Sequence, residues 1–172
     1  DDVESVGLLK IDFLGIRYLT MVSSIVEQIK KENPEFDITK MNYKDPKVYN
    51  LFAEGRTEGI FQFESSGMKE KLRLLKPTEF NDIVAMNALY RPGPMAQIET
   101  YIRRKHGEEK VNYPHPNLEK ILKDTYGVIV YQEQIMLIAV NFAHMSLNEA
   151  DNMRRAVSKK KKEDLEYYGR IF

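Results

Sequence analysis

Leu8-Leu9-Lys10-Ile11-Asp12-Phe13-Leu14-Gly15 decides whether the chain is purely helical or also carries the edge of a sheet. Apolar residues alternate there. Leu9, Ile11 and Phe13 fall on one face and Lys10 and Asp12 on the other, which predicts a strand. A carboxylate and an ammonium two residues apart then project side by side. Such a pair suits a site that handles a metal and a phosphate: Asp12 offers an oxygen ligand for Mg²⁺, and Lys10 a cation near phosphate oxygens. The same pattern also suits a solvent-exposed strand face with a weak ion pair, and the stretch alone does not choose between the two.

Outward from that stretch the period changes to that of a helix. Leu19, Val22, Ile25, Val26 and Ile29 predict a helix over 16–31, closed by Asn33-Pro34. A polar connection over 34–44 follows, and composition puts the boundary between a strand-bearing edge and a mostly helical second part there. Asp45-Pro46, a good N-cap before a proline at the first helical position, starts a short helix that ends at Gly55. Gly59-Ile60-Phe61-Gln62-Phe63-Glu64 has no clear period. Ser65 or Ser66 caps a helix carrying Met68, Leu72 and Leu75, which ends at Pro77. Further helices are expected over 79–89, 96–105 and 117–125, separated by Tyr90-Arg91-Pro92-Gly93-Pro94 and by the extended Tyr113-Pro114-His115-Pro116. Val128-Ile129-Val130 can open a strand, but Tyr131, Ile135, Ile138, Ala139 and Phe142 favour a buried helix. The last predicted helix, 146–160, begins with a Ser146–Glu149 capping box. Phe61, Phe63, Tyr131 and Phe142 are expected in the core. There is no internal repeat. The predicted class is mainly α, with α+β character confined to the N-terminal edge.

Composition limits the functions that remain. Of 172 residues 42% are hydrophobic, enough for a core, and 26 basic residues balance 26 acidic ones. The whole-chain basic excess typical of nucleic-acid binders is missing, so any such role rests on local patches. Without cysteine there are no disulfides or thiolate metal sites, as in a reducing compartment. No apolar run approaches the roughly 20 residues that span a bilayer. The opening Asp1-Asp2-Val3-Glu4 has no basic leader region, and with no initial methionine the chain reads as a piece of a longer protein. His106, His115 and His144 lack metal-ligand spacing, and no glycine-rich phosphate loop occurs.

Two stretches carry charge in a pattern that suits anionic ligands. In the last helix Leu147, Ala150, Met153 and Val157 form an apolar stripe. Arg154 lies at its edge, and Arg155 points away, towards the side of Lys159 and Lys162. A guanidinium at the edge of a packed face needs a carboxylate or phosphate partner. Asp151, three residues earlier, can be that partner. With Lys159, Lys160, Lys161 and Lys162 the segment gathers six cations in nine residues, a density that suits a polyphosphate or nucleic acid as well as a solvated surface. Tyr90-Arg91-Pro92-Gly93-Pro94 holds an aromatic ring and an arginine with little backbone freedom, which fits either a preorganised ligand contact or a structural turn.

Taken together, five stretches resemble one family in order along nearly the whole chain. They are Gly7 to Gly15, Gly59-Ile60-Phe61-Gln62-Phe63-Glu64-Ser65, Ala88-Leu89-Tyr90-Arg91-Pro92-Gly93-Pro94, Tyr126-Gly127-Val128-Ile129-Val130-Tyr131-Gln132-Glu133 and Ala150-Asp151-Asn152-Met153-Arg154-Arg155-Ala156. The family is the bacterial DNA polymerase III alpha subunits, the C-family replicative DNA polymerases. The resemblance implies that residues 1–17 are the closing edge of a palm similar to that of polymerase beta, and that 18–172 are the first part of helical fingers. It implies that Asp12 is the third catalytic carboxylate and a ligand of a Mg²⁺ pair, and that Lys10 approaches the incoming triphosphate. Arg154 and Arg155 match the arginines that hold the triphosphate, and Arg91 matches a nucleotide or active-site contact. The implied reaction is in-line attack of a primer 3′-hydroxyl on the α-phosphate of a deoxynucleoside triphosphate, with loss of pyrophosphate.

The resemblance also implies primer-template DNA as partner, a sliding clamp and other replisome subunits reached through parts outside this chain, and a cytoplasmic setting without a membrane. The family's Asp-x-Asp strand, which carries the other two metal ligands, is absent from these 172 residues, as are the thumb, the N-terminal phosphoesterase-like domain and the clamp-binding segment. The fragment alone is expected not to polymerise and to expose surface that the palm would cover. The alternatives are a non-catalytic helical module that binds nucleic acid through Lys159 to Lys162, and a scaffold for replication or repair proteins. Neither needs a metal-and-phosphate pair at Lys10 and Asp12.

Overall fold

The structure is a computed structural model that describes residues 3, 6–11, 13–159 and 162–171; the side chains at 159, 162, 164 and 165 lie outside the description. Two compact units, Asp1–Asn42 and Tyr43–Phe172, meet in sequence within the polar connection. The described residues are mainly helical and contain no strand. None of these helices is long and apolar enough to cross a membrane.

In the first unit the expected strand does not form: residues 8–11 and 13–16 belong to no regular element. A strand is held by the ladder bonds of a neighbour, and no described residue supplies one. The apolar side chains of this stretch are consequently open, with Phe13 95% and Leu14 97% exposed. α1 (Tyr18–Glu32) follows, its last turn carrying Lys30 and Lys31 where the helix dipole favours cations. The Asn33 amide donates to the Ile29 carbonyl oxygen at 2.8 Å and closes the helix ahead of Pro34. α1 has the predicted apolar face, yet none of its residues is buried, and Leu19, Met21 and Ile25 are exposed.

The second unit holds the core. α2 (Pro46–Ala53) starts as its sequence predicts, with the Lys47 amide donating to Asp45 Oδ1 at 2.9 Å. α3 (Ser66–Leu75) is capped by Ser65, whose hydroxyl accepts from the Met68 amide, and it ends on Lys76 in the left-handed region before Pro77. α4 (Phe80–Leu89) and α5 (Ile98–Lys105) follow, joined through a 3-10 turn at Pro94–Gln97. Leu72, Leu75, Met86, Leu89, Ile98 and Tyr101 from these three helices are almost completely buried against one another. Each buried side chain of this size contributes about 1.5–3 kcal/mol. Burial, reinforced by the charge of Asp82, pushes the Tyr101 phenol well above its ordinary range, so it stays neutral.

One ion pair lies inside this core. Lys105 Nζ, on the last residue of α5, reaches Asp82 Oδ2 at 2.9 Å, with the two side chains 8% and 1% exposed. The same oxygen accepts from the backbone amides of Thr78 at 2.8 Å and Glu79 at 3.2 Å, which cap the start of α4. Asp82 Oδ1 is buried without a hydrogen-bond partner among the described residues.

The C-terminal helices form a second cluster. α6 (Pro116–Leu122) passes into a 3-10 turn at Lys123–Thr125, and Tyr126, at φ 52°, stops it. α7 (Gln132–Ala143), α8 (Leu147–Lys159) and α9 (Lys162–Ile171) pack Ala139, Met145 and Ala150 with Met153 and Tyr168. The Ser146–Glu149 capping box is present, with the Ser146 amide donating to Glu149 Oε2 at 2.8 Å and the Glu149 amide to Ser146 Oγ at 3.3 Å. Residues 128–130 form no strand, and α9 lies beyond the last predicted helix.

The aromatic assignments need one correction. Phe63 is buried, Tyr131 and Phe142 are half-buried, but Phe61 is exposed. The segment folds back on itself, the Ile60 amide donating to Thr57 O, the Phe63 amide to Ile60 O and the Thr57 hydroxyl to Phe63 O. This turn sends Phe63 inward against Phe52 and Phe61 outward.

The buried pair yields a direct expectation. Lys105→Ala leaves the Asp82 carboxylate charged and poorly solvated, so chemical unfolding should show a loss of about 3–5 kcal/mol; a loss below 1 kcal/mol would show that water already reaches the carboxylate.

Candidate functional site

The turn before α7 is built around Thr125 and Gln134. Gln134 Oε1 accepts from the backbone amides of Val130 at 2.8 Å and Tyr131 at 2.9 Å, and its Nε2 donates to Thr125 Oγ1 at 2.8 Å. The Thr125 hydroxyl lies 2.7 Å from the Val128 carbonyl oxygen. Tyr126 and Gly127 are both left-handed, at φ 52° and 76°. A Cβ on Gly127 would stand 2.8 Å from Val111 Cγ1 and 3.2 Å from Arg104 Nη1, so only glycine fits beneath them. Arg104 secures the turn from α5, donating from Nη1 to Tyr126 O at 3.2 Å and from Nε to Glu109 Oε1 at 2.8 Å. The result is a fixed start for α7 with Gln132 as its first residue.

Across from Gln132, α8 presents Asp151, Arg154 and Arg155 at i, i+3 and i+4, a spacing that puts them on neighbouring parts of one surface. Asp151 divides its two oxygens between the arginines. Oδ1 accepts from Arg154 Nε at 2.8 Å and lies 2.7 Å from Nη2, while Oδ2 accepts from Arg155 Nε at 2.8 Å. Arg154 Nη1 also donates to Gln132 Oε1 at 2.8 Å, so this guanidinium is held from two helices. The side chains of Arg154 and Arg155 are 20% and 63% exposed.

The hydrogen bond from Arg154 lowers the Asp151 pKa below its ordinary value, against an opposing effect of desolvation, and the charge of Arg155 adds to the lowering. The pairing is therefore complete above the ordinary carboxylate range and is lost only as pH falls through the folded value. Near neutral pH the trio carries two positive charges and one negative. It can bind a multiply charged anion through the N–H groups that Asp151 and Gln132 leave unused.

Arg91 occupies a second rigid feature. The turn is fixed by the Arg91 amide donating to Leu89 O at 2.7 Å and the Met95 amide to Arg91 O at 3.1 Å, with Gly93 at φ 101°. Gln62, itself left-handed at φ 68°, accepts through Oε1 from Asn87 Nδ2 at 2.9 Å and ties the Gly59–Glu64 segment to α4. The Tyr90 hydroxyl lies over Gly67, where a Cβ would overlap it. The Arg91 side chain is exposed and makes no ion pair or hydrogen bond among the described residues.

The structure thus brings Arg154 and Arg155 together on one carboxylate and leaves Arg91 outside that cluster. Lys10 is exposed and lies in the first unit. Asp12, Lys160 and Lys161 lie outside the described residues, as do the side chains of Lys159 and Lys162. Among the described residues no group of three or more His, Cys, Asp or Glu could hold a metal ion, so these residues do not by themselves furnish a Mg²⁺ site. Gln132 lies within the Tyr126–Glu133 stretch that carries the family resemblance but without a role of its own, and Thr125 and Gln134 escaped the sequence reading. Tyrosine is not an N-cap residue type, so no capping pattern announces Gln134, and no local pattern gives Gln132 a partner.

A family model described as the bacterial DNA polymerase III alpha subunit finger domain matches residues 18–172. The DNA polymerase III subunit alpha of Bacillus subtilis (strain 168) is 58% identical over 167 residues, which cover 96% of this chain and 15% of that protein. The subunit of Staphylococcus aureus (strain COL) is 55% identical over 166 residues, covering 96% of this chain and 16% of that protein. The chain therefore spans about a sixth of the length of these relatives.

Gly67→Ala should displace the Tyr90 ring from its place beside the Arg91 turn, so that the gain of up to about 1 kcal/mol that alanine brings to a helix is not realised. Removing the hydroxyl with Tyr90→Phe should restore part of that gain, as read by thermal unfolding of the single and double variants.

Proposed function

Because the chain belongs to the family of the bacterial DNA polymerase III alpha subunit finger domain, we propose that it is the part of a DNA-directed DNA polymerase that grips the triphosphate of the incoming nucleotide and completes the metal site. The observation that carries this reading is the arginine pair on α8. Arg154 and Arg155 share Asp151 yet keep unused N–H groups on their terminal nitrogens. Guanidinium groups suit the tetrahedral, multiply charged oxygens of a polyphosphate.

In this reading residues 1–17 are the palm edge and 18–172 the first part of the fingers. Within the whole protein the 8–15 stretch pairs with palm strands outside this chain. Lys10 then faces the incoming triphosphate. Asp12 is one metal ligand, and the remaining carboxylates come from the absent palm strand. Bound Mg²⁺ would supply activation of the primer 3′-hydroxyl and neutralisation of charge on the departing pyrophosphate. The residues of this chain do the rest: Arg154 and Arg155 orient the β- and γ-phosphates, and Arg91 contacts the nucleotide or active site from its fixed turn. Lys159, Lys160, Lys161 and Lys162 attract the backbone of primer-template DNA. Clamp and replisome partners act through parts of the protein outside this chain, in the cytoplasm.

The lysine run also supports the reading of a non-catalytic nucleic-acid module, so the experiments separate the two. Primer extension by the full parent polymerase carrying Asp12→Asn should be abolished while DNA affinity is retained. Normal extension would remove Asp12 from the metal site. Replacing the four lysines by glutamine should reduce the salt dependence of DNA binding by about three to four phosphate contacts, uniformly across sequences. An unchanged salt slope would exclude the run from the DNA interface.

A further inference from the structure

We infer that Asp151, assisted by Gln132, is a positioning residue for nucleotide binding: it fixes the Nε edges of both arginines so that their terminal nitrogens are left to face the phosphates. This rests on the preceding assignment of Arg154 and Arg155 to the triphosphate. A guanidinium has five N–H groups. On Arg154, Nε donates to Asp151 Oδ1, which lies 2.7 Å from Nη2, and Nη1 donates to Gln132 Oε1. Its other terminal N–H groups have no partner among the described residues. On Arg155 only Nε is engaged, by the other Asp151 oxygen, so all its terminal donors are unused among the described residues. Both arginines are therefore held at Nε and keep donors on their terminal nitrogens, Arg155 more of them than Arg154.

Charge and geometry pull in opposite directions here, which makes the inference testable. A carboxylate beside two arginines lowers the net positive charge that attracts a polyphosphate. If charge were all that mattered, losing it would tighten nucleotide binding. If orientation dominates, losing it weakens binding, because two long side chains must then be ordered at the moment the nucleotide arrives. Arg154 favours orientation: it is held by side chains from α7 and α8, and Gln132 itself stands at the start of α7 secured by Gln134 and Thr125.

The test is steady-state nucleotide incorporation by the full-length polymerase, with Asp151→Asn, Gln132→Leu, Arg155→Ala and the Asp151→Asn/Arg155→Ala double variant. Asp151→Asn should raise the KM for deoxynucleoside triphosphate about tenfold, with kcat within about twofold of the unmodified enzyme. Gln132→Leu should raise KM about threefold, and this variant carries the test should Asp151→Asn not fold. In the double variant the two effects should be less than multiplicative, since Asp151 acts partly through Arg155. A fall in KM for Asp151→Asn would overturn the inference and make the carboxylate a competitor of the phosphates. A lower Tm with unchanged KM in both Asp151→Asn and Gln132→Leu would leave only a structural pair. An unchanged KM in Arg155→Ala would overturn the triphosphate assignment itself, and the positioning role with it.

Discussion

The buried pair of Asp82 and Lys105 ties α4 to α5 inside the larger core cluster of the second unit. It joins the first turn of α4 to the last residue of α5, the two helix ends farthest in sequence from the turn between them. That turn is the segment holding Arg91. A desolvated charge pair between two helix ends resists sliding, because any shift would separate two charges where water cannot compensate. The apolar contacts of Leu72, Met86, Leu89 and Ile98 supply most of the stabilisation but little directional preference. The ion pair supplies register.

The same division of labour recurs at the C-terminal end. Ala139, Met145 and Ala150 allow α7 and α8 to approach closely. The polar contacts among Thr125, Gln134, Gln132 and Arg154 then decide how the helices meet. Each of these groups uses a directional bond that an apolar contact could not replace. Such bonds cluster at the helix starts, where backbone amides are otherwise unpaired.

The sequence made the helices legible because their starts are chemically marked. Asp45-Pro46, Ser65 and Ser146 with Glu149 each announce a helix, and each caps one in the structure. The Asp151–Arg154 pairing was legible from spacing alone, since i and i+3 meet on a helix. Phe61 was not: the inward and outward positions of a tight turn follow no period that a pattern can read. Gln132 was not legible either, because its partner lies 22 residues away. The strand over 8–15 reads clearly as alternation, but alternation describes only a face. Ladder partners must come from another strand, and the described residues include none.

The open apolar face of α1, together with Phe13 and Leu14, also affects how the protein must be made. A nascent helix that keeps leucine, methionine and isoleucine in water after its own turns have formed offers the surface that holdase chaperones recognise. While such a face stays in water, the segment carries a risk of aggregation.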